Sequence, residues 1–418
     1  MSKKKPPAQA KKAKGKGKGK AEEAPKGKGL AGVIASINKT YGEGTIMRAG
    51  EAPSLVLDRI TTGIFALDLG IGGGWPRGRI SMLKGAYSAG KSVVTLLGAA
   101  NAQRCDRYTG RPFLVKRLDG SLEEVDFGGK GRKPVPMRVV VFDAEHSFDP
   151  DWAAKWGVNV EDIYVIQADY AEKGIDVADL CIRSGECDFM IVDSVAALTP
   201  TVEIEESAEK WQVGVSARLM NKALRKWTSG LNAPGLLAQT KCTMLLVNQM
   251  RLDISGFKPK LTSPGGKGLD HYESIELRFR QDDMVFDPVT ERPIGSDVEF
   301  TLKKNKTAPM SNGGRFKLFY GNSPSLGYSV GDTDTDEQIL RLAAYWGLIE
   351  KSGAWLSLPG SEKKFQGMAN FTQFVKENTL VLEGLAEKIT ERELLWMETG
   401  ETPEGMQVGT TEAVTEED

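Results

Sequence analysis

One segment of the sequence has residue types and spacing that point directly to phosphate chemistry, at residues 85–92. Its glycines, lysine and serine match the pattern G-x-x-x-x-G-K-[ST] at every fixed position. Glycines let such a loop turn tightly and aim N–H groups at phosphate oxygens, while the lysine reaches the β- and γ-phosphates and the hydroxyl ligates Mg²⁺. We therefore expect the segment to bind a nucleotide, with Lys91 also acting in catalysis and Ser92 also holding the metal. The eight residues are Gly85, Ala86, Tyr87, Ser88, Ala89, Gly90, Lys91 and Ser92.

Three further polar side chains follow short apolar runs, at points where buried strands are expected to end. The runs are residues 139–142, 189–192 and 244–247. Asp193 at such an end is suited to hold Mg²⁺, usually through water. Glu145 is suited to orient and deprotonate an attacking water, and Gln249 to sense the γ-phosphate. Each alone is equally compatible with capping a helix, but three beside a phosphate loop favour a single nucleotide site.

The elements that must position these residues alternate between strand and helix. Near-continuous apolar strands separated by helical segments predict a parallel sheet covered on both faces. The predicted strands are residues 80–84, 139–142, 163–166, 189–192 and 244–247. Alternating runs at 275–280, 298–302 and 315–320 predict antiparallel strands at one edge of the sheet. From about residue 335 the apolar spacing becomes helical, which indicates a small C-terminal domain. The predicted fold class is α/β with a mostly parallel central sheet.

Residues 105–136 interrupt this alternation and are too long for an ordinary connection. Within them, residues 113–127 predict a β-hairpin around Asp119 and Gly120. Two interpretations stay open: the segment is a surface element that makes contacts, or it is a tolerated insertion in a loop.

The near-neutral net charge of −1 over 418 residues conceals two charged ends. Residues 1–29 carry 11 lysines and two glutamates, and residues 398–418 carry seven acids and no base. Both segments are predicted to be disordered because they lack enough apolar surface to offset the entropy of ordering. A basic tail attracts polyanions without sequence preference, and an acidic tail competes with nucleic acid for basic surface. A spacer or solubilising role is the alternative for each.

Composition also excludes several classes of protein. The four cysteines form no C-x-x-C pair, which argues against a disulfide framework or a cysteine zinc site and fits a reducing compartment. No run of 18 apolar residues is present, and no apolar segment follows the N-terminal lysines. We therefore expect a cytoplasmic protein without a membrane partner.

These residues and several longer strings resemble the RecA recombinase family over about residues 30–392. The strings are Y-G-E-G-T-I-M-R at 41–48, D-A-E-H-S-F-D-P at 143–150, V-D-S-V-A-A-L-T-P at 192–200, N-Q-M-R at 248–251, K-N-K at 304–306 and E-K-S-G-A-W at 350–355. The resemblance implies a P-loop NTPase core of the RecA type and a DNA-dependent ATPase that uses ATP and Mg²⁺. It further implies a helical homo-oligomeric filament on single-stranded DNA that pairs with homologous double-stranded DNA in recombination and repair.

The resemblance also assigns roles to individual residues of the nucleotide site. Glu145 resembles the catalytic glutamate and Gln249 the switch that couples the γ-phosphate to DNA. Trp152 occupies the family's aromatic position that stacks on adenine, and Asp149 lies beside it. Four further residues resemble contacts supplied by the neighbouring subunit, of which the two lysines act on the γ-phosphate in trans as an arginine finger does. These four are Lys304, Lys306, Tyr320 and Gly321.

Two segments resemble the family's DNA-binding loops, residues 203–216 and 251–264. Arginine and backbone N–H contacts to phosphates give sequence-tolerant binding, which a recombinase needs. The DNA-contacting candidates are Arg218, Arg251, Lys260, Gly265 and Gly266.

The resulting division of the chain is a disordered basic tail, an N-terminal oligomerisation segment, the ATPase core with its insertion, a small α/β C-terminal domain and a disordered acidic tail. Their bounds are residues 1–29, 30–60, 61–323, 324–395 and 396–418.

The sequence departs from the family at Tyr87, Ala89 and His271, where an acid, a small polar residue and an aromatic residue are usual. Around residues 284–298 it lacks the glycine and arginine associated with repressor cleavage, so that activity is not implied. Three rival classes share the phosphate loop: a ring-forming helicase-like ATPase, a regulatory RecA-fold ATPase with weak hydrolysis, and a small-molecule kinase. The ring would lack the polymerisation helix at residues 30–41, and the kinase would need a substrate pocket and lid.

Overall fold

A computed structural model describes most of the folded chain. The described residues are 29–42, 45–48, 57–118, 120–205, 214–231, 241–253, 260–262, 268–309 and 311–399, with the backbone alone for 251–253, 260–262, 397 and 398. The two predicted tails lie outside the described residues, except for Gly29 and residues 396–399. The chain divides into two compact units, Met1–Val56 and Leu57–Asp418, which are described separately.

The first unit contains one helix, α1 (Leu30–Tyr41), within its described residues. The helix begins after Gly29 and ends before Gly42, whose φ of +106° lies in the region that favours glycine. The Asn38 side chain exchanges two hydrogen bonds of 3.1 Å with the backbone of Ile46. These bonds hold the segment after α1 against the helix.

The described helices and strands of the second unit are as follows. The helices are α2 (Phe65–Ile71), α3 (Lys91–Gln103), α4 (Pro150–Lys155), α5 (Ala171–Arg183), α6 (Thr201–Glu205), α7 (Val215–Leu231), α8 (Leu269–Tyr272), α9 (Thr335–Tyr345), α10 (Gly367–Glu377) and α11 (Thr379–Thr399). The strands are β1 (Arg59–Ile60), β2 (Trp75–Pro76), β3 (Ile80–Gly85), β4 (Leu114–Lys116), β5 (Leu122–Glu124), β6 (Val139–Asp143), β7 (Ile163–Ile166), β8 (Phe189–Asp193), β9 (Thr243–Gln249), β10 (Arg251–Asp253), β11 (Lys260–Thr262), β12 (Ile275–Phe286), β13 (Pro293–Asn305), β14 (Gly313–Phe319), β15 (Glu350–Ser352), β16 (Trp355–Ser357) and β17 (Phe365–Gln366).

An eight-stranded sheet in the order β14-β13-β12-β3-β9-β8-β6-β7 forms the centre of this unit. The six strands from β12 to β7 are parallel, and β13 and β14 are each antiparallel to their inner neighbour. The five predicted parallel strands are confirmed. The predicted antiparallel edge is correct for β13 and β14. Strand β12 is antiparallel to β13, as predicted, but pairs in parallel with β3 along its first half, which the prediction missed.

Apolar cores cover both faces of this sheet, as the buried strands predict. Adjacent residues of β3 point to opposite faces because side chains alternate along a strand. Leu83 packs into the core that contains Val94 of α3. Met82 packs into the core that contains Ile175 of α5 and Trp227 of α7. The carboxyl ends of β3, β6, β8 and β9 consequently meet at one edge between these helical layers.

The segment at residues 105–136 forms a two-stranded hairpin, as predicted, with Leu114 of β4 opposite Glu124 of β5. At its base the buried Asp106 carboxylate accepts hydrogen bonds from the Thr109 and Val135 N–H groups and from the Arg132 guanidinium. The predicted turn residue Asp119 lies outside the described residues. The hairpin also reaches the C-terminal part of the chain through ion pairs, Lys116–Asp332 at 3.5 Å and Arg117–Glu383 at 3.6 Å.

The C-terminal helices α9, α10 and α11 pack with the small sheet β15-β16-β17 around a core of their own. Trp346, Phe371 and Ile389 are buried at its centre. Helix α11 continues to Thr399, into the segment assigned from sequence to the acidic tail. Within the described ranges, none of the helices combines the length and the apolar character that a transmembrane span requires.

Candidate nucleotide-binding site

The phosphate loop connects the end of β3 to the start of α3, as its sequence requires. A Cβ atom at Gly85 would lie 2.5 Å from the Phe279 carbonyl oxygen, so only glycine fits beside β12. Gly90 has a φ of +77° directly before α3 begins at Lys91. The loop N–H groups therefore lie at the positive N-terminal end of α3, where anions bind well. Lys91 is 7% exposed and its ammonium donates a hydrogen bond to the Ala86 carbonyl across the loop.

Ser92 and Asp193 form the candidate metal pair. The Ser92 hydroxyl donates a 2.6 Å hydrogen bond to Asp193 Oδ2, although 101 positions separate them. Burial raises the pKa of Asp193, and burial lowers the pKa of Lys91 against the attraction of Asp193 and Glu145. A hydroxyl and a carboxylate are the oxygen ligands that Mg²⁺ takes in nucleotide sites, with phosphate and water completing its octahedron. The pair therefore fits the predicted ion.

Glu145 follows β6 and lies next to the carboxyl ends of β8 and β9. Its Oε1 accepts hydrogen bonds from the Ser194 hydroxyl and, at 3.2 Å, from Gln249 Nε2. Sequence reasoning missed Ser194, although its position directly after Asp193 was a usable signal. The turn that carries Glu145 is fixed by Asp143, whose buried carboxylate accepts N–H bonds of 3.0 Å from Ser147 and Phe148.

The predicted adenine-side residues lie on α4. Asp149 caps this helix, because its Oδ1 accepts from the N–H groups of Asp151 at 2.9 Å and Trp152 at 3.2 Å. The Trp152 ring is half-buried, packs edge-on against Trp156 and has the Lys155 ammonium 5.8 Å from its centroid. Asp149 thus has a structural function that its resemblance to a nucleotide contact did not reveal.

Of the four candidates for contact with a neighbouring subunit, Lys304 and Lys306 lie away from this edge. Lys304 is opposite Glu276 in the β12–β13 register, and Glu276 pairs with Met82, three residues before Gly85. The two lysine ammoniums donate to carbonyls of α8, Lys304 to Asp270 and Lys306 to His271. The structure therefore does not bring them onto the phosphate loop of their own chain.

Tyr320 and Gly321 follow the end of β14. The Tyr320 hydroxyl donates a 2.7 Å hydrogen bond to the Gly295 carbonyl, and the N–H groups of both residues donate to the Ile294 carbonyl at 2.9 Å. Burial raises the pKa of the Tyr320 hydroxyl. These bonds fix both residues on β13.

The candidate DNA-contacting residues are described in part. Arg218 lies on α7, where its Nε donates to the Gly214 carbonyl at 3.3 Å. Arg251 and Lys260 lie on the paired strands β10 and β11, and β10 begins two residues after Gln249. Gly265 and Gly266 lie outside the described residues.

A phosphate loop between β3 and α3, with acids at the ends of neighbouring parallel strands, defines a P-loop nucleotide-binding protein. The family model described as the RecA N-terminal domain matches residues 28–111 and 135–325. The intervening stretch that it passes over contains the β4–β5 hairpin.

Curated relatives named Protein RecA match nearly the whole chain. The protein from Pseudomonas syringae pv. syringae (strain B728a) is 33% identical over 397 residues, which cover 94% of this chain and 97% of the relative. The protein from Teredinibacter turnerae is 35% identical over 370 residues, covering 88% and 94%. The protein from Cutibacterium acnes is 34% identical over 391 residues, covering 93% and 98%. The chain belongs to the RecA family, and its function is that of a RecA recombinase.

Proposed function

We propose that this protein is a DNA-dependent ATPase that forms a helical filament on single-stranded DNA and exchanges its strand with a homologous duplex. The observation that carries the proposal is the 3.2 Å hydrogen bond from Gln249 to Glu145. Gln249 ends β9, and the candidate DNA-binding strand β10 begins two residues later at Arg251. A change at the γ-phosphate therefore has a short covalent route to the DNA-binding segment.

The proposed hydrolysis uses the side chains at the carboxyl edge of the sheet. Lys91 and the loop N–H groups bind the phosphates, and Ser92 and Asp193 would hold Mg²⁺, which supplies positive charge against the phosphate oxygens. Glu145, oriented by Ser194, accepts a proton from water as the water oxygen attacks the γ-phosphorus. The bond from the γ-phosphorus to the bridging oxygen breaks, and ADP leaves with that electron pair.

We propose that the neighbouring subunit completes each site. Lys304 and Lys306 would stabilise the transition-state charge in trans, and Tyr320 with Gly321 would contact the nucleotide. The separation of the two lysines from the phosphate loop of their own chain supports this reading. Within the chain, Trp152 would stack on adenine from α4, beside the cap that Asp149 supplies.

We propose that DNA phosphates are bound by residues of α7 and of the segment that follows Gln249. These are Arg218, Arg251, Lys260, Gly265 and Gly266. We also propose that the chain is divided into the two tails, the oligomerisation segment, the ATPase core and the C-terminal domain at the bounds given above. The protein is proposed to be cytoplasmic.

Electron microscopy of the full chain with single-stranded DNA and a slowly hydrolysed ATP analogue tests the proposal. We expect extended right-handed filaments that require both ligands. Omitting the DNA and replacing the analogue by ADP are the controls. Closed rings of fixed subunit number in all conditions would contradict the filament and favour the ring-forming ATPase.

A further inference from the structure

A buried lysine lies directly before the phosphate loop and belongs to none of the assignments above. Lys84 of β3 is 3% exposed, and the next residue is Gly85. Its ammonium lies 3.0 Å from Glu276 Oε2, 3.2 Å from Asp270 Oδ1 and 3.8 Å from Glu273 Oε2. Glu273 and Glu276 are themselves buried, so these charges face one another with little water.

The three carboxylates come from α8 and the residue after it, and from the start of β12, the strand that pairs with β3. Asp270 belongs to α8, Glu273 follows α8 directly, and Glu276 belongs to β12. Oxygens of the three lie within 4.8 Å of one another, a spacing that would suit a metal ion. The Lys84 ammonium already lies among them, however, and is therefore their counter-ion.

The charge balance of this cluster supports that role. Burial opposes the charged form of Lys84, but Glu273 and Glu276 outweigh it and its pKa is raised. Burial raises the pKa of Glu273 to about 8, and the adjacent Glu276 carboxylate adds to the shift. Arg278 provides Glu276 with a second cation at 3.0 Å.

The same helix holds the two lysines proposed to act in trans. The ammoniums of Lys304 and Lys306 are bonded to the α8 carbonyls of Asp270 and His271. Asp270 thus bonds Lys84 through its side chain and Lys304 through its backbone. These contacts therefore link β3, which leads into the chain's own phosphate loop, to Lys304 and Lys306, which would act on the nucleotide of the neighbouring subunit.

We propose that Lys84 is a positioning residue that anchors α8, so that Lys304 and Lys306 are held where they reach the neighbouring subunit's nucleotide. The inference rests on the proposed trans action of those lysines. Lys84 itself touches no reacting atom. Its loss should impair hydrolysis at the neighbour's site rather than at its own.

Mixed filaments of full-length chains separate these two sites. Lys84→Met keeps the aliphatic stem and removes the charge, and Lys91→Ala disables its own site but keeps its lysines in place. In an equimolar random filament, about one quarter of the interfaces join a Lys84→Met site to Lys91→Ala lysines. We expect each variant alone to hydrolyse ATP at least tenfold more slowly than wild type, and the mixture to recover about that fraction of wild-type turnover.

A parallel mixture of Lys304→Ala with Lys91→Ala shows whether the lysines act in trans at all. If this mixture recovers turnover and the Lys84→Met mixture does not, Lys84 acts on its own phosphate loop and the present inference fails alone. If neither recovers although mixed filaments are verified by labelling, the trans assignment fails and the inference with it. Wild-type turnover in Lys84→Met alone also overturns it.

Three measurements distinguish positioning from loss of the fold. Lys84→Arg keeps a cation and should restore most of the turnover that Lys84→Met loses. Lys84→Met/Glu276→Gln also removes the carboxylate nearest Lys84, so it lowers the buried negative charge. This double variant should fold with a near-native circular dichroism spectrum and still be rescued by Lys91→Ala. The nucleotide affinity of the Lys84 variants should match that of wild type, since their own phosphate loops are intact. A folded double variant without rescue would contradict the inference.

Discussion

Gln249 donates a hydrogen bond to the carboxylate oxygen of Glu145 at 3.2 Å, which joins the last residue of β9 to the turn after β6. Strand β8 lies between those two strands in the sheet, so the contact bridges over the end of β8. The amide and the proposed catalytic base therefore respond together to whatever occupies the γ-phosphate position.

Glu145→Gln should bind ATP but hydrolyse it slowly. The amide keeps the size of the side chain and removes the base that accepts the water proton, so turnover should fall by about 10²–10⁴-fold. Phosphate release on single-stranded DNA and binding of a fluorescent ATP analogue measure the two properties. Lys91→Ala is the comparison, since it should weaken phosphate binding as well as hydrolysis. Undiminished turnover in Glu145→Gln would remove this residue from the catalytic role.

Gln249→Ala should uncouple hydrolysis from DNA. The variant loses the bond to Glu145 at the point where the chain continues into β10, so stimulation by single-stranded DNA should fall on the order of tenfold. ATP turnover with and without DNA gives the stimulation directly. The matched control is Gln373→Ala on the exposed surface of α10, which should behave as wild type. Full stimulation in Gln249→Ala would exclude the coupling role.

Glu273→Gln should alter how stability depends on pH. The pKa of Glu273 is raised from 4.5 to about 8. Between those values the native protein therefore holds a proton that the unfolded chain has released. The wild-type free energy of unfolding should consequently fall as the pH rises through this window. The variant lacks this proton, so its stability relative to wild type should increase from pH 5 to pH 8.

Urea denaturation at a series of pH values measures that difference. Glu161→Gln, at an exposed glutamate, is the matched control and should show no comparable trend over the same range. A constant difference between Glu273→Gln and wild type from pH 5 to pH 8 would mean that Glu273 is ionised throughout.

The lysine-rich segment at residues 1–29 should steepen the salt dependence of DNA binding. It carries 11 lysines against two glutamates, and each phosphate neutralised on a single strand adds roughly 0.7 to the log–log slope. Binding to single-stranded DNA is measured against salt for the full chain and for a shortened chain that begins at Gly29. Identical slopes would limit the segment to a spacer or solubilising role.

Much of the architecture was available from sequence because its signals are local. The phosphate loop is eight consecutive residues whose glycines fix the turn, so Lys91 and Ser92 were placed without knowledge of the rest of the chain. Apolar runs such as residues 139–142 predicted buried strands, because a strand that is covered on both faces must carry apolar side chains on both faces. The alternation in residues 275–280 predicted the antiparallel pairing with β13 but not the parallel pairing with β3, because alternation indicates one solvent-exposed face and not the direction of a neighbouring strand. The direction of β12 relative to β3 is set by the path of the chain between these two strands.

Only the tertiary structure decided which distant side chains meet. Gln249 and Glu145 are 104 positions apart, and Lys84 and Asp270 are 186 apart. Their contacts follow from the order of strands in the sheet, which no local pattern encodes. The cluster around Lys84 went unnoticed because a lysine and three acids read along the chain as ordinary surface charge. Burying them together is what turns them into an ion-paired connection between the phosphate loop and α8.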